Sequence, residues 1–253
     1  MPTGLGDELL WLCPSLDDSP NDLSGNNNGG TYKNGTGTVV DSDPVYNGSR
    51  AYSFDGSDDY ILTGTQAINS KQLSRSWSLW FKTNGQIGTV NYGLFAQRLY
   101  TGYGQDQSLY ILRSNDPYPR RIQAAFDGQY TDGYNPPVAI ARGDSSVDDS
   151  NWHHCTWVLD RSVNNLRVYI DGVLKGTDSV DVNAYQGNNN GMTFGSGQGR
   201  GGTALYYLNG FMDDIRRYDR PLTQQEIEHL ASSRGILGGP GGTHINRTLL
   251  SVG

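Results

Sequence analysis

The chain has 253 residues, with 34 glycines and 10 prolines, and its 26 acidic residues are 23 Asp against three Glu (Glu8, Glu226, Glu228), for a net charge of −7. Asp, Asn, Gly and Ser favour turns whereas helices favour Glu, Ala, Leu and Lys, so a mostly helical protein is excluded. The acidic balance gives no basic footprint for a phosphate backbone, and no apolar run approaches the roughly 18 residues of a membrane span; nucleic acid and membrane insertion are set aside.

In chain order, Glu8 to Cys13 reads as a first strand that enters an Asp/Asn/Gly loop from Asp17 to Gly30. Ala51–Phe54 and Tyr60–Thr63 read as strands joined by the turn Asp55-Gly56-Ser57-Asp58-Asp59. Ser76–Lys82 alternates Trp77, Leu79 and Phe81 onto one face. Tyr92–Ala96, Ser108–Leu112 and Arg121–Phe126 follow, then Trp152–Leu159 and Leu166–Ile170. Asp171-Gly172 between apolar runs predicts a tight hairpin into Val173–Gly176. Met192–Phe194 is short, and Tyr206–Tyr218 reads as a long closing strand with a break at Asn209-Gly210. One helix is legible: Thr223 and Glu226 form a capping-box pattern, Ile227, Leu230 and Ala231 share a face, and Gly235 stops it.

About a dozen short strands, one late helix and no βαβ alternation predict two packed antiparallel sheets. The division is one domain over residues 1–235, followed by a Gly/Pro-rich link and C-terminal arm over 236–253. Trp11, Trp77, Trp80, Trp152 and Trp157 are expected to pack between the sheets. His153 and His154, neighbours on a strand, point to opposite faces and serve as structural hydrogen-bonding groups. Cys13 and Cys155 read as two free half-buried thiols on strands, with a disulfide between them as the alternative, and no Cys/His cluster suggests zinc. The start of the chain lacks a basic n-region, so the expectation is synthesis in the cytoplasm without a secretion signal.

Five blocks, taken in order, resemble the laminin-G-like, concanavalin-A-like jelly-roll family. They are Leu9-Leu10-Trp11-Leu12 with Asp22 to Gly29; Phe54-Asp55-Gly56-Ser57-Asp58-Asp59-Tyr60-Ile61; Trp77-Ser78-Leu79-Trp80-Phe81-Lys82; Trp152-His153-His154 with Leu166 to Gly172; and Gly210-Phe211-Met212-Asp213-Asp214-Ile215-Arg216-Arg217-Tyr218 with Arg220 to Ile227. The resemblance spans residues 7 to 235 and implies an all-β, two-sheet antiparallel jelly-roll sandwich with one short C-terminal helix. Arg98 to Val147 matches no block and reads as elaborated.

Hydrolases of this fold carry paired glutamates on one strand face, as retaining hydrolysis needs two carboxyl groups about 5–5.5 Å apart. That motif is absent here, and the adjacent pairs Asp148–Asp149 and Asp213–Asp214 point apart if they lie on strands. A non-enzyme is expected. The resemblance implies a structural calcium at Asp214 with the Gly56 carbonyl, and a second cation place at Asp58–Asp59 before Tyr60-Ile61-Leu62; local turn capping is the alternative for all these aspartates. Loop tyrosines Tyr100, Tyr103, Tyr130 and Tyr134, set among Asn, Asp and Gly, have the composition of an adaptable recognition surface for glycans or for a protein neighbour, and the composition does not separate the two. Arg142-Gly143-Asp144 is taken as a chance tripeptide.

The function expected from these features is a binding or surface-display module. Its partners would be protein neighbours in a larger particle such as a phage virion, surface glycans, or both, with display on that particle's surface. A stand-alone calcium-dependent lectin is the first alternative and a divergent glycoside-active enzyme the second.

Overall fold

The structure, a computed structural model, describes residues 5–14, 16–40, 50–64, 74–98, 105–126, 139–181, 191–198 and 203–232. The link and arm expected over 236–253 lie outside the described residues, as do Tyr100, Tyr103, Tyr130 and Tyr134.

Seventeen strands and one helix are described. One sheet runs β13 (Val173–Ser179), β12 (Asn165–Ile170), β11 (His153–Asp160), β6 (Arg75–Thr83), β17 (Asn209–Tyr218), β4 (Arg50–Asp55) and β3 (Gly37–Val40), with β1 (Leu10–Leu12) also paired to β17. The other runs β10 (Ala139–Ser146), β9 (Arg121–Phe126), β8 (Gln105–Ile111), β7 (Tyr92–Arg98), β14 (Thr193–Phe194), β5 (Tyr60–Thr63) and β2 (Gly30–Lys33). Every pairing is antiparallel. These are the two packed sheets that the strand pattern predicts, hereafter the eight-stranded and seven-stranded sheets.

The core between them follows from period-two alternation. From the eight-stranded sheet Trp77, Leu79, Phe81, Cys155, Trp157, Val168 and Met212 point inward; from the other, Ile61, Phe95, Leu109, Ala124 and Ala141 do. Trp77 stacks with Phe95 and Phe194 at centroid distances of 5.3 and 5.6 Å. Burying side chains of this size contributes about 2–3 kcal/mol each. Only Trp77 and Trp157 of the five tryptophans reach this core. Trp80 and Trp152 pack on the outer face of the eight-stranded sheet with Cys13, and half-buried Trp11 joins them. Cys13 and Cys155 thus lie on opposite faces of that sheet, both buried and not joined by a disulfide.

The outer face of the eight-stranded sheet is covered twice. The N-terminal segment lies over Ala51, Trp80 and Trp152, while α1 (Gln224–Ala231) lays Ile227 and Leu230 on Val158, Tyr169 and Tyr218. Thr223 and Glu226 complete the expected capping box, but the helix closes at Ser232, three residues before Gly235. At the other predicted signal, Asp171 and Gly172 take φ of 51° and 81°, the double positive φ of a tight hairpin turn.

Strands β15 (Gly197–Gln198), β16 (Ala204–Leu205), β2, β3 and β10 were not expected from the sequence. The last falls in the unmatched stretch and puts Arg142-Gly143-Asp144 on a strand with Gly143 buried. Its register shifts between Arg142 and Ser146, so this tripeptide sits at a bulge and not at a loop tip.

Candidate functional site

The outer face of the seven-stranded sheet carries the arrangement of most chemical interest. Leu109, Ala124 and Ala141 align across β8, β9 and β10 and point into the core. Their neighbours Tyr110, Gln123 and Arg142 align likewise and therefore point outward. Gln123 Oε1 accepts from Arg142 Nε at 3.0 Å. The short hairpin of β15 (Gly197–Gln198) and β16 (Ala204–Leu205) lies against this face: a Cβ on Gly93 would sit 2.0 Å from the Gly197 nitrogen, so β7 needs glycine there. The hairpin sets Tyr206 edge-on to Tyr110, centroids 6.1 Å apart, and leaves Tyr206 44% exposed at φ 58°. A bulky residue in the left-handed region is a backbone outlier that its surroundings must hold.

Beyond Arg142 the row ends on Tyr118, which is 45% exposed. The Arg142 and Arg121 guanidinium carbons lie 5.0 and 5.9 Å from the Tyr118 ring centroid. The local chain explains why the ring is held out. Pro117 and Pro119 flank it and fix their own φ, Asp116 Oδ1 accepts the Tyr118 N–H at 3.0 Å, and the turn closes through Arg120 N–H to the Leu112 carbonyl at 2.8 Å. Tyr60, outward on β5, approaches Tyr207 at 6.4 Å and adds a second tyrosine pair on the same face. None of these tyrosines was singled out from sequence as a binding residue; a tyrosine between two prolines, followed by two arginines, was the available signal.

The acidic candidates fall elsewhere. Asp55, Asp58 and Asp59 in the β4–β5 turn each bring a carboxylate oxygen within 4.8 Å of the others. Much of this is turn capping: Asp55 Oδ1 accepts from Ser57 N–H at 2.8 Å, and Asp59 Oδ2 from Asp55 N–H at 3.1 Å. Asp59 is buried, and its Oδ1 faces Gly35 with no hydrogen bond of good geometry. Burial, with the charges of Asp55 and Asp58, raises its pKa above the usual carboxylate value. An oxygen-rich turn with an unsatisfied buried carboxylate oxygen fits a hard cation such as Ca²⁺.

Asp214 is not part of that place. Asp55, directly before Gly56, pairs with Asn209, and Asp214 lies five residues further along β17. At about 3.3 Å per residue this separates Gly56 from Asp214 by roughly 15 Å, so the two cannot share an ion. Asp214 instead accepts from Trp11 Nε1 at 2.7 Å and Arg216 Nε at 2.8 Å on one oxygen, in a buried cage with Glu8. The alternation expected of Asp213–Asp214 is also broken: a bulge with Asp214 at φ 49° turns both toward the N-terminal segment, where Asp213 Oδ1 accepts from Cys13 Sγ at 3.8 Å. Asp148, buried, accepts from Ile87 N–H at 2.9 Å, while Asp149 binds His153. Both aspartate pairs are thus engaged in holding the fold.

The two histidines behave oppositely. His153 Nδ1 lies 2.8 Å from Asp171 and Nε2 3.1 Å from Asp149. Burial alone would lower its pKa, but the two carboxylates outweigh this and hold it raised. His154 is fully buried beside Trp80, shares a 2.8 Å hydrogen bond with Ser78, and burial pushes its pKa down to about 4. Both are structural and on opposite faces, as the strand pattern implies.

No curated protein sequence matches the chain. Among solved structures it is similar to domain 4 of AbnA, a GH43 extracellular arabinanase from Geobacillus stearothermophilus, in complex with arabinotriose, with TM-score 0.63 at 16% identity over 89% of this chain and 98% of that one. It is also similar to the binding domain of Paraclostridial Mosquitocidal Protein 1, with TM-score 0.66 at 18% identity over 90% of this chain and 52% of that one. The binding domain of Botulinum Neurotoxin DC in complex with SialylT gives TM-score 0.65 at 15% identity, over 90% and 51%. The chain spans about half the length of these two toxin domains. At such identities the likeness is one of fold. The family model of the concanavalin A-like lectin/glucanases superfamily, of laminin-G type, matches residues 55–228, and the chain belongs to that family.

Proposed function

We propose that the chain is a non-catalytic glycan-binding module that takes its ligand on the outer face of the seven-stranded sheet. The observation that carries this is the row Tyr206, Tyr110, Gln123, Arg142, Tyr118. It has exposed aromatic rings at its two ends and hydrogen-bonding groups between them, spanning two strand spacings, roughly 10 Å, from Tyr110 to Arg142. Flat rings stack on the apolar faces of sugars while amide and guanidinium groups bond their hydroxyls, and rigid tyrosines give contact area at small entropic cost. The arabinanase domain and the botulinum binding domain, which share the fold, are sugar-bound in their structures. Engagement of both aspartate pairs in the fold argues for binding over hydrolysis.

A calcium ion at Asp55, Asp58 and Asp59 is a second reading, favoured by the unsatisfied Asp59 oxygen. It would brace the β4–β5 turn and would not touch the tyrosine row. Display on a larger particle through residues 236–253 is a separate expectation that this reading does not require.

The test is a glycan array run in calcium and again in EDTA, with Tyr118→Ala and Tyr206→Ala alongside the parent chain. Binding in both buffers that falls about tenfold in either variant supports the outer-face row. Binding lost in EDTA but indifferent to both tyrosines moves the site to the acidic turn. Silence in every arm overturns glycan binding.

A further inference from the structure

The arginines at one end of the row say what kind of sugar it takes. In a chain with 26 acidic and 19 basic residues, a surface arginine ordinarily finds an acid. Arg50, Arg120, Arg167 and Arg220 do, as do the buried Arg216 and Arg217. Among the described residues Arg113, Arg121 and Arg142 have no carboxylate partner, and of these Arg121 and Arg142 share one aromatic ring. The acids nearest in sequence are already engaged: Asp116 caps Tyr118, Asp144 pairs with Lys175 at 3.2 Å, and Asp148 with Arg120 at 3.6 Å. Arg121 and Arg142 instead lie over one exposed tyrosine ring, with Gln123 fixing the Arg142 plane through Nε and leaving its Nη edge available.

We infer that Arg121, Tyr118 and Arg142 form a subsite for a carboxylate-bearing sugar residue, a uronic or a sialic acid, within the glycan site proposed above, on which this inference rests. A guanidinium presents paired N–H donors in a fork that matches a carboxylate, and its delocalised charge lets it rest on an aromatic face. The tyrosine ring beneath takes the sugar's apolar side. The net charge of −7 sets the upper limit on the ligand's charge: dense polyanions are repelled by the remaining surface, whereas a single carboxylate per sugar meets two local cations. The Pro117-Tyr118-Pro119 turn presents the ring in advance of binding, which lowers the entropy lost on capture.

The test measures binding of the full chain to matched pairs: polygalacturonate against its methyl ester, and sialyllactose against lactose. In at least one pair the acid is expected to bind ten- to a hundredfold more tightly than its neutral partner. Arg142→Gln and Arg121→Gln are each expected to cut that preference about tenfold, by weakening the acid far more than its neutral partner, with unchanged thermal unfolding. Whichever pair shows the preference identifies the acid as uronic or sialic. Equal binding of acid and neutral forms overturns the carboxylate subsite and leaves the glycan site standing. Absence of binding to all four by the folded protein overturns both. A preference that survives both arginine variants, or tighter binding to heparin or polyphosphate than to either acid, overturns the subsite as assigned.

Discussion

Two arginine–aromatic stacks lie on the outer faces of the two sheets, and they differ in everything except their chemistry. Arg216, on the eight-stranded sheet, rests 4.6 Å from the Trp11 ring centroid and is 1% exposed, with Glu8 and Asp214 as carboxylate partners and the N-terminal segment over it. Arg142, on the seven-stranded sheet, rests 5.0 Å from the Tyr118 ring centroid, half-buried, with the Gln123 amide as its hydrogen-bond partner among the described residues. A covered arginine must be neutralised because burying an unpaired charge is very costly, whereas an open one keeps its solvation and its capacity for a ligand. Charges on the covered face therefore belong to folding, and those on the open face are the ones the proposed function assigns to a ligand.

The sharpest break between the two is stability. Arg216→Ala leaves Glu8 and Asp214 buried without their cation and is expected to cost about 3–5 kcal/mol, lowering the unfolding temperature by roughly 10 °C. Arg142→Gln is expected to stay within about 0.5 kcal/mol of the parent in the same denaturation series. Equal losses in the two variants contradict the comparison.

Next in size is the acid response of the covered face. Buried His154 must remain neutral, its folded pKa near 4 lying below the ordinary 6.5, so the stability it confers is full above pH 6.5 and is lost as pH falls toward 4, by about 3 kcal/mol. His153 runs the other way: its raised folded pKa adds stability that is full below 6.5 and disappears as pH rises through the folded value. Urea midpoints at pH 5, 6.5 and 8.5 should therefore peak at the middle value. His153→Gln should remove the alkaline decline and keep the acid one.

On the open face Tyr118→Ala is expected to weaken glycan binding about tenfold while leaving stability within about 0.5 kcal/mol. Binding of an acidic glycan there should also weaken with added salt, measurable by calorimetry at two ionic strengths. The last expected effect, no larger than about 1 kcal/mol, is a gain in stability from calcium at the acidic turn, reversed by EDTA and lost in Asp58→Asn.

Much of the covered half was legible in sequence. The alternation of Trp77, Leu79 and Phe81 marked β6 as a strand with one apolar face, Thr223 and Glu226 marked the start of the helix, and Asp171-Gly172 marked the hairpin. These signals are local, carried by neighbours in the chain. What escaped depends on contacts distant in sequence or on a broken period. The Arg216–Glu8 pair joins residues 208 apart, and the Asp213–Asp214 bulge reverses the alternation on which the sequence argument relied. Strand β10 was hidden because its inward side presents only Ala139 and Ala141 before a bulge. The open-face row was missed for the same reason: Tyr118, Arg142 and Tyr206 come from three stretches that share no motif, and only the register of β8, β9 and β10 brings them into line.

The most direct test of a ligand site on the open face is an amide chemical-shift titration of the labelled chain with sialyllactose and with a short oligogalacturonate. The account predicts changes concentrated at Tyr118 to Gln123, at Ala141 to Gly143 and at Tyr206, with the covered face around Trp11 and Arg216 silent. Changes confined to the Asp55–Asp59 turn, or to the N-terminal segment over the eight-stranded sheet, would contradict it.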